Sequence, residues 1–213
     1  MNDKPNIPMT IRSLIPLLFG IALPGFAAAE KPAVVAVQPL GSVTAERLQV
    51  VKKGLEQAFG VSVELMKAAP LPSSAWYAPR GRYRADKLLD HLNESAAPTH
   101  RIVIGITEKD ISTTKDEHID WGIFGLGEVD GRVCVVSTFR LGARGADEKK
   151  LRDRLRKVAI HEVGHVTGLP HCPKVGCVMQ DAESSIETVD RESGTFCDTC
   201  KATSLEWIAE KTK

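Results

Sequence analysis

Residues 161–172 read HEVGHVTGLPHC and combine three histidines with one glutamate. His161 and His165 are four positions apart, so on a helix both imidazoles project from one face and can bind the same ion. Zinc bonds to histidine nitrogen at about 2.0–2.1 Å, which two rings one turn apart reach without strain. Glu162 lies on the adjoining face, close to the open coordination position of the ion. The spacing therefore predicts a zinc site with a general base beside it.

The residues that follow predict a third ligand. Gly168 can adopt the left-handed conformation that ends a helix, and Pro170 prevents the helix from continuing. The chain must turn there, which lets His171 return to the ion. Three protein ligands plus water form the open arrangement of a catalytic site.

Such a site predicts hydrolysis of peptide bonds. Zinc polarises a peptide carbonyl and acidifies water, while Glu162 accepts the proton and delivers it to the leaving amine. The alternative is a helix whose histidines merely cap or fill the surface, and the added G-x-x-H motif disfavours it. The residue that would stabilise the oxyanion stays open, because Tyr77 and Tyr83 are far upstream.

The hydrophobic pattern indicates the elements that position these residues. DEKKLRDRLRKVAIHEVGHVTGL is typical of one long helix with acidic residues in its first turn. Upstream, the pattern predicts strands in PAVVAVQPL, VSVELM and THRIVIGIT, and helices in SVTAERLQVVKKGLEQAFG and DKLLDHLNE. LPSSAWYAPRGRYRA is predicted to be an exposed loop. ATSLEWIAEKTK is predicted to be a short closing helix that rests on Leu205, Trp207 and Ile208.

A hairpin completes the predicted sheet. Asp130-Gly131 divides residues 119–140 into two strands, one of which must be antiparallel. The fold class is therefore α/β, with a mostly parallel sheet and one antiparallel strand. If that strand lies at the edge, it either captures an extended peptide by strand addition or merely faces solvent. The pattern does not distinguish the two.

The N-terminus predicts export. Lys4 and Arg12 precede the apolar run SLIPLLFGIALPGF, which leads into Ala27-Ala28-Ala29. This is typical of a signal peptide, residues 1–29, cleaved after Ala29 to give a periplasmic or extracellular protein. The run is too short and too rich in proline for a stable membrane anchor. The rest, residues 30–213, has the length and ordinary composition of a single domain.

The net charge of +1 implies no nucleic-acid partner. We expect a monomer that acts on a peptide or protein substrate.

HEVGHVTGLPHCPKVGCVM followed by FCDTC resembles the archaemetzincin signature, a zinc-binding motif that continues into four cysteines. YAPRGRYRADKLL and RIVIGITEKDI also resemble family segments, so the resemblance extends from about residue 32 onward. It implies a metzincin-like α+β fold with a twisted sheet, an antiparallel edge strand, a long active-site helix and a C-terminal segment stapled by zinc. Met179 matches the methionine of the turn beneath the metal.

The resemblance also implies a second, structural zinc held by Cys172, Cys177, Cys197 and Cys200, and hence two zinc ions per chain. Four thiolates fit a closed tetrahedral site. In an oxidising compartment the same thiols could instead form two disulfides. Cys134 lies within an apolar strand and is predicted to be an inert buried thiol.

Two other classes of function compete with a peptidase. One is a non-catalytic zinc-binding protein with a structural four-cysteine site, which the intact set of three histidines and Glu162 disfavours. The other is an exported oxidoreductase that uses Cys197 and Cys200 as a redox pair. It lacks the reactive cysteine at a helix start after a strand that thioredoxin-like proteins have.

Overall fold

The structure is a computed structural model that describes residues 1–2 and 35–211. Contacts between Cα atoms divide the chain into two units, Met1–Glu30 and Lys31–Lys213. Apart from Met1 and Asn2, the predicted signal peptide lies outside the described residues, so its cleavage and the domain boundary after it stay predictions. The fold described here is that of the second unit.

Strands and helices alternate in the first half of this unit, and helices dominate the second half. The strands are β1 (Val35–Leu40), β2 (Val63–Leu65), β3 (Trp76–Tyr77), β4 (Arg82–Arg84), β5 (Ile102–Thr107), β6 (Ile111–Lys115), β7 (His118–Ile123), β8 (Gly125–Gly127) and β9 (Val133–Ser137). The α-helices are α1 (Ala45–Phe59), α2 (Ala85–Ser95), α3 (Glu148–Val166), α4 (Ile186–Arg191) and α5 (Asp198–Lys211).

The main sheet has the predicted form. Its strand order is β2-β1-β5-β9-β8, and every pairing is parallel except that of β8 with β9. The predicted turn lies between these two strands, and Asp130 adopts the left-handed conformation there, with φ +52°. The antiparallel strand β8 is thus at the edge of the sheet.

Helices cover both faces of this sheet. Side chains alternate along β1, so Val35 and Val37 belong to the core beneath α1 and α3, whereas Ala36 and Leu40 pack with α2. The three-layer arrangement explains why the central strands are apolar on both sides.

A second sheet was missed by the sequence analysis. It has four strands in the order β3-β4-β6-β7, and β3 and β4 lie within the segment predicted to be an exposed loop. That prediction was wrong because two-residue and three-residue strands carry no periodicity. The pairing of Trp76 with Tyr83, whose rings lie 5.0 Å apart, takes its stabilisation from cross-strand contact.

The closing helix is longer than predicted, since α5 starts at Asp198. Ile208 is buried as expected, but Leu205 is exposed, so the prediction that the helix rests on Leu205 was wrong. No helix in the described part of the chain is both long enough and apolar enough to cross a membrane.

Candidate metal centre

Helix α3 carries the first two predicted ligands and the predicted base. Asp147 caps its N-terminus by accepting a hydrogen bond from the backbone N–H of Lys150 at 2.7 Å, which satisfies one of the free donors of the first turn. Leu151 and Leu155, on the apolar face of this helix, are buried. These contacts hold the last turn against the sheet, where His161 and His165 project together.

Two backbone carbonyls orient the imidazoles. Nδ1 of His161 donates to the carbonyl of Val178, and Nδ1 of His165 donates to that of Leu169, both at 2.7 Å. Each Nε2 is therefore left with a lone pair, and the two Nε2 atoms lie 3.1 Å apart. A hydrogen-bond acceptor that fixes the tautomer in this way is typical of metal-binding histidines.

The turn after α3 brings in the third histidine. Gly168 has φ +82°, the left-handed conformation expected at a helix end, and its N–H donates to the carbonyl of His165 at 2.8 Å. His171 then returns toward the helix, with Nδ1 3.3 Å from Oδ2 of Asp181. One ligand nitrogen from each histidine lies within 4.8 Å of the others.

This donor set fits a divalent zinc ion. Burial, with the neighbouring His165 adding to it, lowers the pKa of His161 to about 4. Burial also lowers the pKa of His165. Both rings are consequently neutral at neutral pH, as zinc ligands must be, and three histidine nitrogens are a common zinc ligand set.

Glu162 lies in a narrow space between α3 and the edge strand. Its side chain is 6% exposed, and this burial raises its pKa to about 8. A Cβ atom added to Gly125 would lie 2.6 Å from Oε1 of Glu162, and one added to Gly127 would lie 2.6 Å from its carbonyl oxygen. The glycines of β8 therefore make room for the carboxylate, a role that their place in the sequence does not reveal.

Met179 packs against α3 at Gly164, between the positions of His161 and His165. It is fully buried, and a Cβ atom added to Gly164 would lie 2.4 Å from its Sδ. Gly164 is between His161 and His165 in the sequence, so its missing side chain lets the thioether pack directly under the two ligands.

The four predicted cysteines form a separate cluster. Their Sγ atoms lie within 4.8 Å of one another, and those of Cys172 and Cys197 are 3.9 Å apart. A tetrahedral site with zinc–sulfur bonds of about 2.3 Å has sulfurs about 3.8 Å apart, whereas a disulfide has about 2.05 Å. The five described cysteines are free thiols. The spacing therefore fits a zinc site and not two disulfides.

The remaining candidates lie elsewhere. Cys134 is fully buried, and burial raises its pKa, as expected for an inert thiol. His100, just before β5, is buried, with Nε2 3.0 Å from Oε2 of Glu64.

A cavity of about 560 Å³ opens at the histidines. The helix α3, the edge strand β8 and the segment after Met179 line it, so the antiparallel edge faces a cleft. Its lining includes Trp121, Asp181 and Glu192, which the sequence analysis missed because no motif contains them. Tyr77 and Tyr83 are not among the lining residues of the described chain.

Comparisons with known proteins agree with this geometry. The model of peptidase family M54 matches residues 49–206. The archaemetzincin of Archaeoglobus fulgidus is 34% identical over 164 residues, which cover 77% of this chain and 94% of that protein. That of Methanocaldococcus jannaschii is 33% identical over 170 residues, with 78% and 89% covered.

Solved structures give the same result. The chain is similar to the crystal structure of the archaemetzincin from Methanopyrus kandleri, with a TM-score of 0.73, 28% identity, and 86% of this chain and 99% of that chain covered. For the archaemetzincin from Archaeoglobus fulgidus, the TM-score is 0.67, the identity 32%, and the coverage 79% and 98%.

Proposed function

Because the chain belongs to peptidase family M54, the archaemetzincins, and is therefore a zinc metallopeptidase, we propose that it is exported and cleaves peptide bonds with Glu162 as the general base. The observation that carries this proposal is the convergence of three histidine nitrogens within 4.8 Å beside a buried carboxylate.

His161, His165 and His171 would hold the catalytic ion. When bound, zinc polarises the carbonyl of the scissile bond and makes water more acidic. The carbonyls of Val178 and Leu169 hold two of the imidazoles in place through Nδ1. This keeps the rings oriented before an ion or a substrate arrives.

Glu162 moves the proton. Its carboxylate accepts one proton from the attacking water and delivers it to the leaving amine. Burial holds its pKa near 8 in the absence of a nearby cation, so the group lies close to the pH at which it can both take and release a proton. A positive charge at the three histidines shifts this balance toward the ionised form, which is the form that acts as a base.

The edge strand β8 supports binding of an extended substrate. It pairs with β9 on one side only and borders the cavity on the other. An extended peptide can add to such an edge through backbone hydrogen bonds. The close approach of Gly125 to Glu162 would bring that backbone next to the base.

A second zinc ion, held by Cys172, Cys177, Cys197 and Cys200, completes the proposal. Four thiolates leave no open position, so this ion would stabilise the fold without taking part in cleavage. The signal peptide of residues 1–29 would direct the enzyme to the periplasm or the medium as a monomer. Loading with zinc before or during export would protect the thiols from oxidation.

The central test compares Glu162→Gln with the wild-type enzyme on a peptide library. We expect unchanged zinc content by elemental analysis and a loss of kcat of about 10²–10⁴-fold, the usual contribution of a general base. Glu206→Gln, an equal change on the exposed face of α5, is the control and should retain full activity. Wild-type protein that carries zinc and cleaves no peptide would instead support the non-catalytic alternative.

A further inference from the structure

Two buried carboxylates line the cleft, and the proposed mechanism uses only one of them. The second is Glu192, directly after α4, whose side chain is 6% exposed. Within the described residues, its carboxylate has no hydrogen bond and no ion pair, although Glu192 is one of the residues that line the cavity. A buried carboxylate without a partner is costly to the folded protein.

The nearest cations are engaged elsewhere. Nζ of Lys157 donates to the carbonyls of Val189 and Asp190 at 3.0 and 3.3 Å, and lies 3.3 Å from Oδ2 of Asp153. Arg156 pairs with Asp153 at 3.0 Å and donates to the carbonyl of Gly194 at 3.2 Å. Both cations act on Glu192 only from a distance.

Burial dominates over these distant charges and raises the pKa of Glu192 to about 8. A cation placed against the carboxylate would supply the missing counter-charge and stabilise its ionised form. The part of the cavity next to Glu192, the Glu192 recess, is therefore better suited to a positively charged group than to a neutral one.

The walls of the recess are apolar. Val158 and Val189 are 5% and 2% exposed and border the same cavity as Glu192. A side chain with an aliphatic stem and a charged end matches apolar walls that lead to a carboxylate, because lysine and arginine bury their methylene groups while the charged end finds a polar partner.

The recess adjoins the metal ligands. Val158 and His161 are three positions apart on α3, so they share one face of the helix, and both line the cavity. A substrate side chain that reaches Val158 must belong to a residue close to the bond being cleaved.

We propose that Glu192 determines substrate specificity, and that the recess between Val158 and Val189 binds a lysine or arginine side chain next to the scissile bond. This inference rests on the proposed peptidase function and names its substrate class. Peptides with a basic residue at that position would be preferred over peptides with an uncharged residue of the same length.

The test uses paired peptides that carry either lysine or norleucine on each side of the scissile bond. Norleucine keeps the apolar stem and removes the ammonium group. We expect wild-type enzyme to prefer lysine on one side by about ten- to a hundredfold in kcat/KM, as for a hydrogen-bonded charged pair. Glu192→Gln should bring this ratio close to one.

Glu183→Gln is the matched control, because Glu183 lines the same cavity but is exposed. The lysine preference should persist in this variant. A ratio near one in the wild-type enzyme, or an equal loss of preference in both variants, would overturn the inference. If Glu192→Gln does not fold, Glu192→Asp, which withdraws the carboxylate by one methylene group, must lower the ratio severalfold.

Calorimetry on Glu162→Gln separates this inference from the proposed function. The lysine peptide should bind at least about tenfold more tightly than the norleucine peptide, and Glu192→Gln in the same background should remove the difference. If the wild-type enzyme cleaves neither peptide, the proposed function fails, while binding still decides whether the recess takes a cation. Equal binding of the two peptides would contradict the inference even if both are cleaved.

Discussion

The two clusters of metal-binding side chains are adjacent in the chain and opposite in construction. His171 and Cys172 are neighbours, yet the histidines border a cavity of about 560 Å³, and no cysteine of the described chain is among its lining residues. One helix supplies two of the three histidines. Two of the four cysteines lie in the segment after α3, Cys197 directly precedes α5, and Cys200 lies in the first turn of α5.

Under the proposed function, this difference separates a site for reaction from a site for stability. An open set of three ligands would leave room for substrate and water, whereas a zinc ion held by four thiolates from distant segments would link those segments. The cysteine cluster also serves the histidine cluster, because the N–H of Cys172 donates to the carbonyl of Met179 at 2.8 Å. This hydrogen bond fixes the backbone directly after His171.

The largest effect should follow from removing ligands from the four-cysteine cluster. Replacing both Cys197 and Cys200 with serine would remove half of the proposed ligand set. In small zinc domains, a structural zinc ion contributes on the order of 10 kcal/mol to folding, which is comparable to the stability of a whole domain. We expect the protein to unfold or to lose tens of degrees in Tm by calorimetry. Cys134→Ala, outside both clusters, should keep full zinc content. An unchanged Tm in the double variant would show that the two clusters do not differ in this way.

Loss of a ligand from the three-histidine cluster should lower activity rather than stability. We expect His161→Ala to bind one zinc ion per chain rather than two and to show no detectable cleavage, because the base then has no activated water to act on. The cysteine site should keep the fold, so circular dichroism should remain that of the wild type. Global unfolding of this variant would mean that the histidine site is structural as well.

A smaller effect should follow when the space for the base is filled. In Gly125→Ala the new Cβ would lie 2.6 Å from Oε1 of Glu162, so the carboxylate must shift. We expect kcat to fall by about 10–100-fold, as for a misplaced catalytic group, with both zinc ions retained. Gly142→Ala is the control, since its Cβ would meet Leu151 at an ordinary 3.7 Å. Equal kcat values for the two variants would contradict close positioning of Glu162 by β8.

The smallest effect concerns α4, which lies in the chain between the two pairs of cysteines. Arg154 is 3% exposed and pairs with Asp190 through two contacts of 2.8 Å. This pairing holds the pKa of Asp190 down to about 2. Asp190→Asn should lower the free energy of unfolding at neutral pH by on the order of 2 kcal/mol. Such a loss would show that the Arg154–Asp190 pair, and not the cysteine cluster alone, holds α4 in place.

The stability that the Asp190 carboxylate contributes depends on pH in a definite direction. Asp190 has a pKa of about 2 in the folded protein and about 3.9 when unfolded. Its contribution is complete above about pH 4 and is lost as the pH falls toward 2. The difference in unfolding free energy between wild type and Asp190→Asn should shrink over that range in urea titrations. A difference that does not change with pH would exclude the Arg154 pairing as its source.

Local spacing determined the chemistry of this protein. The i, i+4 histidines and the helix stop at Gly168 predict the three-histidine set because each depends on only a few residues of backbone geometry. The four-cysteine set was implied by the resemblance to the archaemetzincins. The mostly parallel sheet and its one antiparallel strand were also predicted, since β-branched runs such as that of β5 and the turn at Asp130 are local signals.

What only the tertiary structure decided depends on contacts between distant segments. The small sheet around Trp76 and Tyr83 exists through cross-strand pairing, which leaves no periodic pattern. The approach of Gly125 to Glu162 and the burial of Glu192 in the cavity that Val158 also lines arise where β8, α3 and α4 meet. Sequence spacing carries no information about which side chain lacks a partner, because that depends on every group packed around it.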